Sequence, residues 1–485
     1  MDGTADVVRT EEYDLLIGDE RRPAASGETA PVVNPATGEP IAEVAMATAA
    51  DVDRAVETAR SAAEAWASRP GEERGRILNR VASALRDDAD RLAELLTLEN
   101  GKPLQRAKSD VLIGARYFEY YAGYADKIHG ESIPLSPEYT DYTIEEPLGV
   151  TGHITPWNVP VNLVGRTVAP ALAAGNAAVL KPPEETPLSP LEVGELALEA
   201  GVPPGVLNVV PGEGEEAGAA LAGHPDVGGV SFTGSVVAGK SVAKRAVENF
   251  THVHVEAGGK NSAIVFPDAD VESALESVEL GIFTMNAGQV CSAADRLLVH
   301  EDVRDEVVDR LAERTRELTV GPGMDDHDLG AIVSADQYDR VAEYVETGRA
   351  EVGEPLVGGD LEDGPGYFVP PTVFVDVDPD ATVAQEEIFG PVLVVSTFSE
   401  EAEAVALAND VEYGLVAGVF TSDLGRAHRL ARDLDAGQVY VNEWFAGGVQ
   451  TPFGGYKMSG FGREKGLDAI EEFTQTKNVG VRIED

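Results

Sequence analysis

Cysteine is nearly absent from this chain. Cys291 is the only one in 485 residues, which excludes an intrachain disulfide and a structural zinc site built from several thiolates. Long apolar runs are missing as well. Nothing approaches the roughly 20 uninterrupted apolar residues that a membrane-spanning helix needs. The first residues, Met1 to Arg22, are acidic and lack the basic-then-apolar order of an export signal, so a cytoplasmic protein is expected. Positive charge is scarce: 37 Lys and Arg stand against 85 Asp and Glu, for a formal net charge of -48, and only ten of the basic residues are lysine. Such an excess repels nucleic acid and anionic lipid, and neither is an expected partner. The same charge strains a compact fold by self-repulsion at low salt, whereas a screening length of about 3 Å at molar salt relieves it. The expectation is a halophilic protein of a high-salt cell. Internal repeats and low-complexity linkers are also lacking.

What is present describes a large globular chain. Apolar residues make up 43%, and the length allows two or three domains with a substantial core. Residues 1–12 read as a frayed tail. From Ala49 to Asn100 the apolar positions Val52, Ala55, Val56 and Ala59, then Ile77, Val81, Leu85, Leu92 and Leu95, recur at helical spacing. From about Thr143 the texture changes to short apolar runs alternating with helical stretches. Four runs fit buried parallel strands: 149–154, 177–180, 206–210 and 227–232. Helical stretches at Leu191 to Ala200 and Ala238 to Asn249 belong to the same pattern. A second α/β pattern follows, with strands at 263–266, 297–299 and 392–395 and helices at Val271 to Phe283 and Val303 to Leu318. The tail, Phe473 to Ile483, alternates as a strand. The fold class is therefore α/β.

Several segments carry side chains suited to chemistry, and each has a plainer reading beside it. Cys291, in Asn286-Ala287-Gly288-Gln289-Val290-Cys291-Ser292, is either a nucleophile or an apolar filler. Phe232-Thr233-Gly234-Ser235 ends a strand, turns on glycine and opens a helix, which presents free N–H groups to a phosphate or merely caps the helix. Lys181 and Glu184 follow another strand; they hold a ribose or form a surface ion pair. Glu256, ahead of Gly258-Gly259-Lys260, is a carboxylate flanked by backbone that allows close approach, or a solvated turn residue. His252 and His254 share one strand face without a third metal ligand, which favours a structural role. Asn158, in Thr155-Pro156-Trp157-Asn158, can donate to an oxyanion or simply make a turn. Glu387-Ile388-Phe389-Gly390-Pro391 pairs a carboxylate with an aromatic ring ahead of a strand.

The ordered set of these segments resembles the NAD(P)-dependent aldehyde dehydrogenase superfamily over nearly the whole chain. Asn34-Pro35-Ala36-Thr37-Gly38 and Pro452-Phe453-Gly454-Gly455 match as well. The resemblance implies a Rossmann-like cofactor domain (1–127 and 148–255), an α/β catalytic domain (256–458) and a small β bridging element (128–147 and 459–485). That element would join subunits into a homodimer or homotetramer. It implies Cys291 as nucleophile, Glu256 as base, and Asn158 with the Cys291 N–H as oxyanion hole. Trp157, Lys181, Glu184, Gly234, Ser235, Glu387 and Phe389 would bind the cofactor, with Lys181 and Glu184 at the adenine ribose, Ser235 at a phosphate, Glu387 at the nicotinamide ribose and Phe389 beside the nicotinamide. The implied reaction is NAD-dependent oxidation of an aldehyde to its acid through a thiohemiacetal and a thioester, with no metal required. Glu184 favours NAD, because a carboxylate repels a 2′-phosphate; a shifted loop would admit NADP too.

Two departures stand out. Alanine at 257 replaces the usual leucine of Glu-Leu-Gly-Gly, and the stretch before Cys291 is one residue longer than the family pattern, which bears on the preceding helix. The substrate stays open. Arg166 would lie along the passage and suits a semialdehyde carboxylate, although aromatic-aldehyde members carry such an arginine too; Met285 offers no second cation, and Trp444 with Phe445 suggests an apolar mouth. A CoA-acylating relative would not need the water-activating Glu256, and a binding protein without turnover would not need Cys291, Glu256 and Asn158 together. The charge reading is checked by circular dichroism: the melting midpoint should rise from very low to molar KCl, and an unchanged fold across that range would count against a halophilic protein.

Overall fold

The computed structural model describes residues 7–325, 327–361 and 364–483. The helical segment after Ala49 resolves into three helices, Ala49–Ala67, Gly71–Asp87 and Ala89–Asn100. Pro70 lies just outside the second, where its missing N–H costs nothing. The apolar positions spaced by three and four, Val52 to Ala59 and Ile77 to Leu95, are buried as the amphipathic pattern requires. A fourth helix, Leu104–Ala122, completes the N-terminal layer. Residues 7–12 correct the frayed-tail expectation; the first six lie outside the described residues. Val7 is buried in the core, and Arg9 pairs at 2.8 Å with Glu192, whose carboxylate is buried.

Two sheets with parallel cores organise the rest. In the first, eight strands run in the order Gly460–Phe461, His252–Glu256, Gly229–Thr233, Val150–Ile154, Ala177–Lys181, Leu207–Val209, Leu15–Ile17, Glu20–Arg22. The five from His252–Glu256 to Leu207–Val209 are mutually parallel. Strand order reverses direction at Val150–Ile154, so the loops leaving Ile154 and Thr233 open a crevice at the carboxyl edge, the place where open α/β sheets bind ligands. These strands are short apolar runs because both faces are covered. The second sheet has six strands, all parallel: Thr372–Phe374, Val392–Phe398, Arg296–His300, Ser262–Val265, Val416–Phe420, Gln438–Val441. A third sheet pairs the tail strand Thr474–Arg482 antiparallel with Tyr139–Pro147 along its whole length, and Ser132–Ile133 extends it. Among the described residues, no helix is long and apolar enough to cross a membrane.

The helix ahead of Cys291 differs from the expected single span. It is α-helical over Val271–Glu279 and then widens into a π-turn at Leu280–Thr284. A π-turn absorbs one residue more than an α-turn, which offers a place for the extra residue noted in the sequence. The chain then turns sharply through Ala287 and Gly288, both at positive φ (49° and 73°). A side chain at Gly288 would meet the Gly390 carbonyl oxygen at 2.0 Å, so only glycine fits.

A buried ion pair ties the N-terminal layer to the crevice. Lys102 Nζ donates to Asp110 at 2.9 Å and to the Asn158 carbonyl at 2.7 Å, while Asp110 accepts from the Asn162 N–H at 2.7 Å. Both charged side chains are only 2% exposed, so each is the other's main compensation for lost hydration. Lys102→Met should therefore cost about 3–5 kcal/mol, read as a fall in the urea midpoint, with partial recovery when Asp110→Asn is added. A loss below about 1 kcal/mol would show that the charge is satisfied some other way.

Candidate active site

The crevice deepens into a cavity of about 630 Å³ between the two sheets. Its walls bring together Trp157, Asn158, Gly234, Ser235, Cys291, Glu387 and Phe389. The loop after the first sheet's Ile154 supplies Asn158. Its Nδ2 donates to the Gln289 carbonyl at 3.1 Å, and its own carbonyl accepts from Asn286 Nδ2 at 3.0 Å, so the two loops are stapled from both sides. Asn158 Oδ1 is buried without a hydrogen-bond partner.

Cys291 is half-buried at the cavity wall. Its carbonyl accepts from Asn261 Nδ2 at 3.0 Å, and Asn261 Oδ1 accepts from the Val416 N–H at 2.9 Å, which anchors the loop to the second sheet. Burial pushes the thiol up to about 12, against the pull of Arg166 and with a further push from Glu256. The resting side chain is therefore a thiol.

Glu256 ends its strand 1% exposed, but its carboxylate is not part of the cavity wall. Oε1 lies 3.3 Å from His254 Nε2, and Oε2 is buried without a partner. Burial raises this carboxyl to about 7, while the His254 hydrogen bond and charge and Arg166 hold it down. His254 is thus the carboxylate's neighbour; His252 on the same strand is exposed. Burial opposes charging the His254 ring, yet the Glu256 hydrogen bond and the Glu464 charge raise its pKa overall.

The glycines after Glu256 have a steric reason. A Cβ at Gly258 would fall 2.2 Å from a Glu387 oxygen, and one at Gly259 would fall 2.8 Å from the Cys291 carbonyl oxygen. Glu387 accepts from the Gly259 N–H at 3.1 Å, and burial raises its carboxyl to about 7. Phe389, at φ 61°, stands edge-on to Trp157 with ring centroids 5.2 Å apart. Gly234 donates its N–H to the Glu256 carbonyl at 3.0 Å, and Ser235 Oγ caps the 13-residue helix Val236–Glu248 by accepting from the Ala238 N–H. Lys181 and Glu184 pair at 3.2 Å, and Glu184 accepts from the Gly214 N–H at 2.9 Å. They stand at the same sheet edge as Asn158 but outside the cavity wall.

Arg166, on helix Pro160–Ala174, and Met285 reach the wall, as does Phe445. Trp444 does not: it is 1% exposed and donates Nε1 to the Ser292 carbonyl at 2.9 Å, bracing the cysteine loop rather than forming a mouth. Three residues of consequence had no signal of their own in the sequence. Glu464 is buried, ion-paired with Arg166, and 3.8 Å from His254 Nδ1. Gln337 and Arg340, on helix Ala335–Glu351, line the cavity and donate to the Phe389 and Glu387 carbonyls at 2.9 Å each, holding that turn. The one available pointer to Glu464 was its closeness to Pro452-Phe453-Gly454-Gly455. Among the described residues, no group of three His, Cys, Asp or Glu could hold a metal.

A profile of the Aldehyde dehydrogenase family matches residues 22–479. The chain is 43% identical over 473 residues to hydroxyisobutyraldehyde dehydrogenase of Mycolicibacterium austroafricanum, covering 97% of this chain and 94% of that protein. It is 44% identical over 474 residues to an aldehyde dehydrogenase of Emericella nidulans, covering 97% and 95%. In three dimensions it matches the NAD+ complex of aldehyde dehydrogenase from Bacillus cereus with a TM-score of 0.97 at 41% identity, over 100% of this chain and 99% of that one. With almost its entire length inside these matches, the chain belongs to the aldehyde dehydrogenase family, oxidoreductases whose general reaction is the NAD-dependent oxidation of an aldehyde to its acid.

Proposed function

We propose that Cys291 is the nucleophile of that reaction, Glu256 its base, and Asn158 Nδ2 with the Cys291 N–H its oxyanion donors. The observation that carries the reading is that the chain's single thiol shares one cavity with Asn158, Glu387 and Phe389. A dinucleotide fits the residues present. Ser235 offers a helix N-terminus to a phosphate, and the Glu387 carboxylate fills the space a side chain at Gly258 would need, facing the cavity. Trp157, Gly234 and Phe389 would complete that end, with Lys181 and Glu184 at the adenine ribose. Bound NAD supplies the hydride acceptor. The remaining chemistry belongs to side chains. As the sulfur bonds to the carbonyl carbon, the thiol's proton passes to solvent water, and the new oxyanion is held by donors already in place. After oxidation, Glu256 takes a proton from water; the hydroxide adds to the thioester, and the C–S bond breaks to release the acid. Because the Glu256 carboxylate now faces His254, it must turn toward the cavity for this step.

The finer assignments rest on the same footing. We read 1–127 with 148–255 as the cofactor domain, 256–458 as the catalytic domain, and 128–147 with 459–485 as the bridging element. Thr474–Arg482 is an edge strand with one side unpaired, and Tyr139, Tyr142, Ile144 and Val481 in that sheet are exposed; both features support a homodimer or homotetramer. The acidic balance supports a halophilic cytoplasmic protein without nucleic-acid or membrane partners.

Cys291→Ala should abolish aldehyde-dependent NAD reduction, followed by absorbance, while leaving NAD binding by calorimetry intact; near-normal turnover would remove the cysteine from its role. Glu256→Gln should keep a single-turnover burst but lower steady-state turnover by about 10²–10⁴-fold. In the unmodified protein the base works as a carboxylate, so kcat should rise with pH through about 7, the value burial gives Glu256. A pH-independent kcat from pH 5 to 9, with a fast step shown not to mask it, would separate Glu256 from the chemistry.

A further inference from the structure

Glu256 is fixed at its backbone and free at its side chain. Its carbonyl accepts from the Gly234 N–H at 3.0 Å, and Ala257 donates its N–H to the Ser459 carbonyl at 2.9 Å. Its strand is flanked by Gly229–Thr233 on one side and Gly460–Phe461 on the other. Only the carboxylate can turn, and its resting place is shaped to hold it. A Cβ at Gly454 would fall 2.7 Å from Glu256 Oε1, so the first glycine of Pro452-Phe453-Gly454-Gly455 leaves the space this carboxylate occupies. His254 closes that space from the same strand, with Nε2 3.3 Å from Oε1.

The imidazole is itself held. Gly462, at φ 86°, packs against it: a Cβ there would meet the ring Cδ2 at 2.3 Å and Glu472 Oε1 at 2.8 Å. Nδ1 faces Ser231 Oγ at 3.5 Å and Glu464 Oε1 at 3.8 Å. Glu464 pairs in turn with Arg166, and Glu472 accepts from the Arg463 N–H at 2.9 Å. Three carboxylates thus bear on the ring: Glu256 on its own strand, Glu464 just beyond Gly460–Phe461, and Glu472 at the end of helix Asp468–Glu471. Burial opposes charging the ring, but the Glu256 hydrogen bond and these charges outweigh it and raise its pKa. Toward a carboxylate the ring nitrogen is the donor. We infer that His254 is a positioning residue for the base: its Nε2–H holds Glu256 as a carboxylate turned away from the cavity until hydrolysis requires it. This rests on the role proposed for Glu256. The charge of Glu256 pushes the Cys291 thiol up, so holding it aside favours loss of the thiol proton in the first step. The carboxylate is then already charged for the second.

The contact is tested by NMR of histidine-labelled protein, with the His254 resonance assigned by its absence from His254→Gln. In Glu256→Gln the acceptor loses its charge, so the His254 pKa should fall by about one unit, within the range of one charge-assisted hydrogen bond. An unchanged pKa overturns the inference, whether or not any aldehyde is oxidised. The role is tested by the pH profile of kcat with propanal or benzaldehyde and NAD in molar KCl. His254→Leu removes the donor, so the rising limb assigned to Glu256 should move upward by about one pH unit. KM for the aldehyde and the rate of the single-turnover hydride burst should stay unchanged. His254→Gln, whose amide N–H can stand where Nε2 does, should return the limb toward its original place. A limb that stays put in a folded His254→Leu, or a burst that falls as far as kcat, overturns the inference while leaving the chemistry at Cys291 in place. If no aldehyde is oxidised but the His254 pKa moves as stated, the proposed function fails and the hold on Glu256 stands.

Discussion

The site depends on one crossing: the Asn158 loop of the first sheet bound to the cysteine loop of the second. Asn158 donates to Gln289 and accepts from Asn286 and from Lys102, so three hydrogen bonds converge on one short segment. Neither loop is held by regular secondary structure at that point. Each takes its position from the other and from anchors behind it, Asp110 on one side and Asn261 on the other. Because these groups are buried, an unmade bond costs the full desolvation of its partner. The relative placing of the Asn158 amide and the Cys291 loop is therefore fixed by the fold itself.

Burial has a second consequence at this crossing. The same low-dielectric packing that fixes the loops raises the Cys291 thiol to about 12 and the Glu256 and Glu387 carboxyls to about 7. Burial therefore leaves the sulfur protonated and poises the two carboxyls between their neutral and charged forms near pH 7. Glu256 resolves the conflict by facing His254, whose Nδ1 side meets Glu464, itself paired with Arg166. The chain of contacts from Glu256 to Arg166 puts that carboxylate and the cavity's arginine in one electrostatic unit. Changing the charge at either end alters the other through two buried neighbours.

Much of this architecture was legible in the sequence, and the reasons differ by element. Strands such as Ala177–Lys181 and Gly229–Thr233 announced themselves because parallel strands covered on both faces are short apolar runs. The motif glycines were legible as close approaches, and the contacts of Gly258 with Glu387 and of Gly259 with the Cys291 carbonyl give them their cause. Residues 7–12 misled because anchoring by Arg9 is a long-range ion pair invisible to local pattern. Trp444 misled for a similar reason: an aromatic near a motif reads as a pocket wall, yet its N–H is spent on the Ser292 carbonyl. Gln337 and Arg340 carried no readable signal, and Glu464 only its closeness to a motif, because they act on residues far along the chain. Polar residues on helices and turns are ordinary until a fold gives them a buried partner.

The acidic surface and a cavity whose wall holds Arg116, Arg166, Arg340 and Lys465 with Glu387 make sense only together. A net charge of -48 sets up a field that repels a dinucleotide, and at low salt that field would slow the encounter. At molar salt the screening length falls to about 3 Å, so the distant surface acids are almost silent. Contacts inside a cavity, where little salt solution penetrates, are screened far less. In that solvent the cavity's own side chains outweigh the surface acids in the field a bound molecule meets. Solvation by acid side chains and the binding of an anionic dinucleotide can then coexist in one molecule, because salt separates the ranges over which the surface and the cavity act.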